Sequence, residues 1–139
     1  MPLHLIKLCV GCESIEDLAM WLDERRAAHG PGWEHAHVTR MTPKRAAELL
    51  DGGSLYWVIK GDVRCRETIL DLRPAIGSDG IERCAIVMSG KPVATRFQPR
   101  RPFQGWRYLN AGDAPPDLPA GEGDTPEDLR RQLAALGLI

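Results

Sequence analysis

The sequence predicts an α+β domain: a curved, mainly antiparallel sheet or half-closed β-barrel, flanked by two or three helices. Three observations carry this. The run Ser-Leu-Tyr-Trp-Val-Ile-Lys at 54–60 is the densest stretch of β-branched and aromatic residues and is bracketed by Gly52-Gly53 and Gly61. Several further short apolar runs follow it, separated by Gly-, Pro-, Asp- and Ser-rich turns. Leucine stripes at helical spacing, each with its own cap signal, occur near both ends of the chain.

At 139 residues the chain fits one domain and can bury a core without a disulfide or metal staple. Hydrophobic residues make up 43% and charged residues 27%, and the formal net charge of -1 exerts no global pull toward nucleic acid or an acidic membrane surface, so any such pull must be local. No apolar run approaches a membrane span, and Lys7 interrupts the opening too early for a signal-peptide core, so a cytoplasmic setting is expected. There Cys9, Cys12, Cys65 and Cys84 are expected to be reduced.

In chain order, residues 3–10 are almost continuously apolar and suit a strand covered on both faces. Gly11 breaks that run. Ser14 is a plausible N-cap with Asp17 three residues on, and Ile15, Leu18, Ala19 and Leu22 repeat at helical spacing until Gly30-Pro31-Gly32. Residues 35–41 are a strand candidate. Thr42-Pro43 reads as a cap with proline at the first helical position, giving a short helix over 43–50, which Asp51-Gly52-Gly53 closes. With Gly61-Asp62 as a two-residue turn, strand 54–60 folds back on 63–72, placing Trp57 opposite Arg66, Tyr56 opposite Glu67 and Val58 opposite Cys65. Strands at 81–88 and 93–97 continue an antiparallel meander, and 105–109 is a last short strand. These elements define one domain over 1–110. An acidic, Pro/Gly-rich linker covers 111–124. A C-terminal helix over 125–137, capped by Thr125 and carrying Leu129, Leu133 and Leu136, is expected to pack on the domain.

The strongest local signal is a charge asymmetry. No acidic residue occurs between Cys84 and Gly112, while Lys91, Arg96, Arg100, Arg101 and Arg107 are interleaved with Phe97, Phe103, Trp106 and Tyr108. Cations for phosphates and rings for unstacked bases are what single-stranded nucleic acid requires. The hairpin adds Trp57, Lys60, Arg64 and Arg66. The alternative is that the rings are core and the arginines a solvated rim. Arg40, Lys44 and Arg45 cluster at the start of the short helix, where cations oppose the helix dipole unless an anion binds there. The candidate binding set is therefore Arg40, Lys44, Arg45, Trp57, Lys60, Arg64, Arg66, Arg101, Trp106 and Arg107.

Cys9-Val10-Gly11-Cys12 has C-x-x-C spacing between a strand and a helix. Ser14 makes the better cap, though, and Cys65, Cys84, His4, His35 and His37 supply no second close-spaced ligand pair, so no metal or other cofactor is expected and inert, buried thiols are the default. No Ser-His-Asp arrangement, P-loop or G-x-G-x-x-G is present. Asp62, Glu67, Asp71 and Glu82 are expected at the solvent face of the sheet.

Residues 3–12, 37–45, 53–61 and 101–109 together resemble a family of small proteobacterial proteins known only as a domain of unknown function; the resemblance covers most of the chain and implies no activity. A looser likeness of layout is to the PUA-like group (ASCH, EVE and YTH domains), in which a short helix feeds a glycine and then a meander closing into a small barrel. That likeness implies binding of RNA or a modified base. The expected function is thus a non-catalytic module for RNA, a nucleotide or another phosphate-bearing ligand. The alternatives are a small metal- or thiol-dependent enzyme using Cys9, Cys12 and the histidines, and a protein-interaction domain whose rings are all core.

Overall fold

In the computed structural model, which describes residues 2–118 and Leu136, β1 (Leu3–Leu8) occupies the interior of the sheet. It pairs in parallel with β3 (Ser54–Ile59) and antiparallel with β7 (Trp106–Asn110), while Leu3 and Leu5 pack into a core on one face and Ile6 into a core on the other. Between β1 and β3 run α1 (Ile15–His29), β2 (His35–Thr39) and the single turn α2 (Ala46–Leu49). The Ser14 hydroxyl accepts the Asp17 N–H at 3.1 Å and the Asp17 carboxylate accepts the Glu13 N–H at 3.0 Å. At the other end Gly30, with φ 92°, returns its N–H to the Arg26 carbonyl. Leu18 and Leu22 are the α1 side chains buried against the sheet.

The short helix is shorter than its sequence signal. Thr42-Pro43 does not cap it: Pro43 is buried, α2 starts at Ala46, and Arg45 at the cap position makes no side-chain capping bond. The N–H groups of Lys44 and Arg45 instead donate to the Tyr108 hydroxyl, at 3.0 and 3.3 Å, so the helix start does not present them to an anion.

The central hairpin joins β3 to β4 (Asp62–Ile76) through Lys60-Gly61, not Gly61-Asp62. Both turn residues have positive φ, 51° and 84°, which matches the right-handed twist of the flanking strands. A bulge at Arg64 then shifts the ladder, so Tyr56 faces Arg66, Trp57 faces Cys65 and Leu55 faces Glu67. The expected pairs Trp57 with Arg66, Tyr56 with Glu67 and Val58 with Cys65 do not form. A one-residue slip moves every side chain to the other face. Here it places Glu67 on the core side with Leu55 and Trp57.

The expected meander also reroutes. β4 is long enough to serve two partner sets: its first half lies between β3 and β6 (Val93–Pro99), and its second half pairs with β5 (Glu82–Met88), which in turn pairs with β2. β6 therefore leaves β5 and returns to the start of β4. The sheet order is β2-β5-β4-β3-β1-β7, with β6 as a branch on β4, and the curved sheet stays open. A larger core (Leu5, Leu18, Leu22, Leu55, Trp57, Ile86 and neighbours) lies on the α1 side, and a smaller one (Ile6, Tyr56, Val58, Val63, Leu109) on the other.

Beyond β7, a 3-10 turn (Ala111–Asp113) leads into a segment lying along β6, with Arg96 N–H donating to the Pro116 carbonyl and Leu118 N–H to the Ala94 carbonyl. The remainder of the acidic stretch and the C-terminal helix expected at 125–137 lie outside the described residues, apart from Leu136. Among the described residues no helix is long and apolar enough to cross a membrane.

Candidate functional site

Among the concave surfaces of the described residues, two lie one against each core. The first is a cavity of about 650 Å³ between the end of β1, α1 and the concave face of the sheet. Cys9 and Cys12 form one wall, Trp21 of α1 another, and His35, His37 and Trp57 the sheet side, with Lys7, Asp17 and Glu24 also lining it. His29, Trp33, His35 and Trp57 form a row of nearly parallel rings, with successive centroids 6.4, 6.0 and 6.3 Å apart.

Behind this wall lies Glu67, which is 0% exposed. Its Oε1 accepts from His35 Nδ1 at 2.9 Å and from the Gly90 N–H at 2.9 Å, and its Oε2 accepts from Trp57 Nε1 at 2.8 Å. These bonds supply acceptor partners that a buried carboxylate requires. Glu67 thereby ties together β2, β3, β4 and the turn after β5. The expectation of a solvent-facing carboxylate is overturned. The signal was present in the sequence: Cys65, Glu67 and Ile69 share one alternation phase, and the other two are apolar.

Burial, with Lys7 and then His35 adding repulsion, pushes His37 down from the usual 6.5 to about 4. The folded pKa lies below the unfolded one, so between about pH 6.5 and 4 the unfolded chain binds more protons and stability is lost as pH falls through that window. His37→Gln should remove this dependence, flattening stability across the window by about 1–2 kcal/mol once partial exposure of the ring is allowed for. Urea midpoints measured at intervals through the window check it; superimposable profiles would contradict it. His4, lowered by burial and then by Arg66, keeps a residual dependence of the same sign in both proteins.

The second surface is a groove of about 440 Å³ at the β7 edge, seated on Ile6 and Leu109. Arg100, Arg101, Arg107, Phe103 and Tyr108 line it, and its lining contains no carboxylate. Arg107 lies over Phe103 with its guanidinium carbon 5.4 Å from the ring centroid, and its N–H groups donate to the Gln104 and Trp106 carbonyls. Arg100 donates to Gln98. At one end, Tyr108 draws in Lys44 and Arg45 through its hydroxyl, and the Arg45 guanidinium stands over its ring while also pairing with Glu48.

The fold thus gathers Lys44, Arg45, Arg101 and Arg107 around β7 and disperses the other candidates. Arg40 is exposed beyond the end of β2. Lys60 sits at the hairpin turn, 3.7 Å from Glu13. Arg64 is 1% exposed, donates to the Glu13 carbonyl and packs over Phe97. Arg66 makes a two-pronged pair with Asp117, at 2.8 and 2.7 Å, which holds that carboxyl below the usual range. Trp57 and Trp106 are 4% and 5% exposed, each with its indole N–H bonded inside the protein, to Glu67 and to the Met41 carbonyl. Neither presents a ring face to solvent on the scale that base stacking requires. Among the described residues, no three His, Cys, Asp or Glu side chains are arranged to hold a metal ion.

A family profile matches residues 5–139, nearly the whole chain. The chain belongs to the DUF1489 family. The family is described as proteins of unknown function, so membership supports the sequence resemblance without assigning chemistry to either surface. No curated protein and no solved structure matches the chain.

Proposed function

We propose that this DUF1489 chain is a non-catalytic module that binds single-stranded RNA or a nucleotide along the β7 groove. The observation that carries the reading is the groove itself: three guanidinium groups and two aromatic rings line one depression free of carboxylates. Phosphate oxygens seek such cations, and Phe103 and Tyr108 offer π faces that stack on any base. The hydrogen bonds of Arg100 and Arg107 go to neutral oxygens, so their positive charge is undiminished, unlike that of Arg66, Arg73 and Arg83, which are paired with carboxylates. Compared with the ten-residue set expected from sequence, the interface narrows to the β7 edge and exchanges the buried tryptophans for Phe103 and Tyr108.

Titration with short RNA and DNA oligomers and with a mononucleotide, repeated over a range of salt concentrations, tests this. Arg101→Ala and Arg107→Ala should each reduce the slope of log affinity against log salt by about 0.7, the value for one single-strand phosphate contact. Arg25→Ala, on α1 against the opposite core, should leave the slope unchanged. Tyr108→Ala should weaken binding by about 1–3 kcal/mol at every salt concentration. Absence of binding by the wild type at low salt, where the electrostatic contribution is greatest, would sink the proposal.

A further inference from the structure

The nucleic-acid reading leaves the cavity between β1, α1 and the sheet unused, and that cavity has chemistry of its own. Cys9 extends the β1 ladder, its N–H donating to the Val58 carbonyl at 2.9 Å. Val10 and Gly11 then make a tight turn, with Gly11 at φ 85° and the Cys12 N–H directed back to the Cys9 carbonyl at 3.5 Å. Gly11 matters here because the third position of this kind of turn needs positive φ. The turn brings the Cys9 thiol to within 2.6 Å of the Cys12 sulfur, with no disulfide between them. A disulfide bond is about 2.05 Å long, so closing one from this 2.6 Å separation takes about half an ångström of travel. Both thiols border the cavity, beside Trp21 and Trp57.

We propose that Cys9 and Cys12 form a thiol–disulfide exchange site that reduces small-molecule disulfides, with the aromatic pocket seating the substrate's apolar flank. The cavity of about 650 Å³ falls within the usual range for small ligands. The site is independent of the β7 groove, which rests on the opposite core.

The exchange begins at Cys12, because burial, reinforced by the contact with Cys12 itself, pushes the Cys9 thiol up and keeps it protonated. Cys12 loses its proton and its sulfur attacks one sulfur of the substrate R–S–S–R. The S–S bond breaks, and the departing RS⁻ takes up a proton to leave as RSH. Cys9 then gives up its proton and attacks the Cys12 sulfur of the mixed disulfide. This forms the Cys9–Cys12 bond and expels the second RS⁻, which is protonated in turn. Two protein thiols are oxidised to one disulfide and the substrate disulfide is reduced to two thiols, with two electrons and two protons transferred. Cys9 and Cys12 precede the Ser14 cap, so neither occupies the first turn of α1.

The test uses the full chain, reduced, desalted and mixed with oxidised glutathione or with an aryl disulfide. Thiol release and intact mass are followed, and the product is mapped by peptide digestion. The expected result is two thiols released per chain, a disulfide mapped to Cys9 and Cys12, and recovery of the dithiol on adding excess dithiothreitol. Cys9→Ser should stop at a mixed disulfide on Cys12, and Cys12→Ser should react at least about tenfold more slowly than wild type. Trp21→Ala should abolish any preference for the aryl disulfide over glutathione disulfide, a readout that a purely structural cysteine pair would not move. Wild-type protein that forms no Cys9–Cys12 disulfide, forms only disulfides between chains, or reacts at Cys12 no faster than the urea-unfolded chain overturns the proposal. The wild-type mapping stands even if a cysteine variant fails to fold.

Discussion

Glu67→Ala should lower the stability of the domain by about 3–5 kcal/mol, the range for removing one partner from a buried polar or ionic cluster. The substitution strands three donors at once: His35 Nδ1, Trp57 Nε1 and the Gly90 N–H all lose their acceptor in an interior that water does not reach. Each unsatisfied buried group costs about 1–3 kcal/mol, and partial relaxation keeps the total below their sum. Glu67→Gln is the informative companion. Its amide oxygen can still accept from His35 and Gly90, but its nitrogen then faces the Trp57 indole N–H, donor against donor, so a loss of about 1–3 kcal/mol is expected. Urea unfolding followed by tryptophan fluorescence reads both variants, because Trp57 reports directly on the lost bond. A Glu67→Ala protein within 1 kcal/mol of wild type would show that the carboxylate does not anchor the sheet.

Trp106→Ala is the second large effect, again about 3–5 kcal/mol of stability. Trp106 is 5% exposed, donates its indole N–H to the Met41 carbonyl at 2.7 Å and meets Tyr108 edge-on with ring centroids 4.9 Å apart. Truncation leaves a ring-sized void at the β1–β7 seam and removes the bond that holds the segment after β2. The same variant separates core from interface. Where it remains folded it should retain oligonucleotide affinity close to wild type, because the stacking surfaces in the proposed groove belong to Phe103 and Tyr108. The opposite pattern, unchanged unfolding with affinity weakened at all salt concentrations, would place the Trp106 ring against a base and return the interface to its wider form.

The α+β class, α1 with its Ser14 cap and Gly30 stop, and most strands were legible in the sequence. Those features are set within a few residues, by side-chain alternation, by a hydroxyl three residues from a backbone N–H, and by glycine where φ is positive. The basic and aromatic character of the segment after Cys84 was equally legible, since charge and ring content are properties of composition. Tertiary structure decided the rest. The hairpin register turned on one residue, Lys60, adopting positive φ, and on a bulge at Arg64; local pattern carries no record of either, yet together they set Glu67 opposite Leu55 rather than Tyr56. Thr42-Pro43 carries a capping signal, but burial of Pro43 and the Tyr108 hydroxyl, 64 residues from Lys44, outcompeted it. Which arginines share a groove depended on β7 docking against β1, and the closeness of Cys9 and Cys12 to Trp21, His35 and Trp57 depended on α1 and the curled sheet meeting over one cavity. The amino-acid order by itself specified which groups are available and which local shapes they prefer. Long-range packing decided which of them meet, because burial energies exceed the few tenths to about one kilocalorie that local propensities contribute.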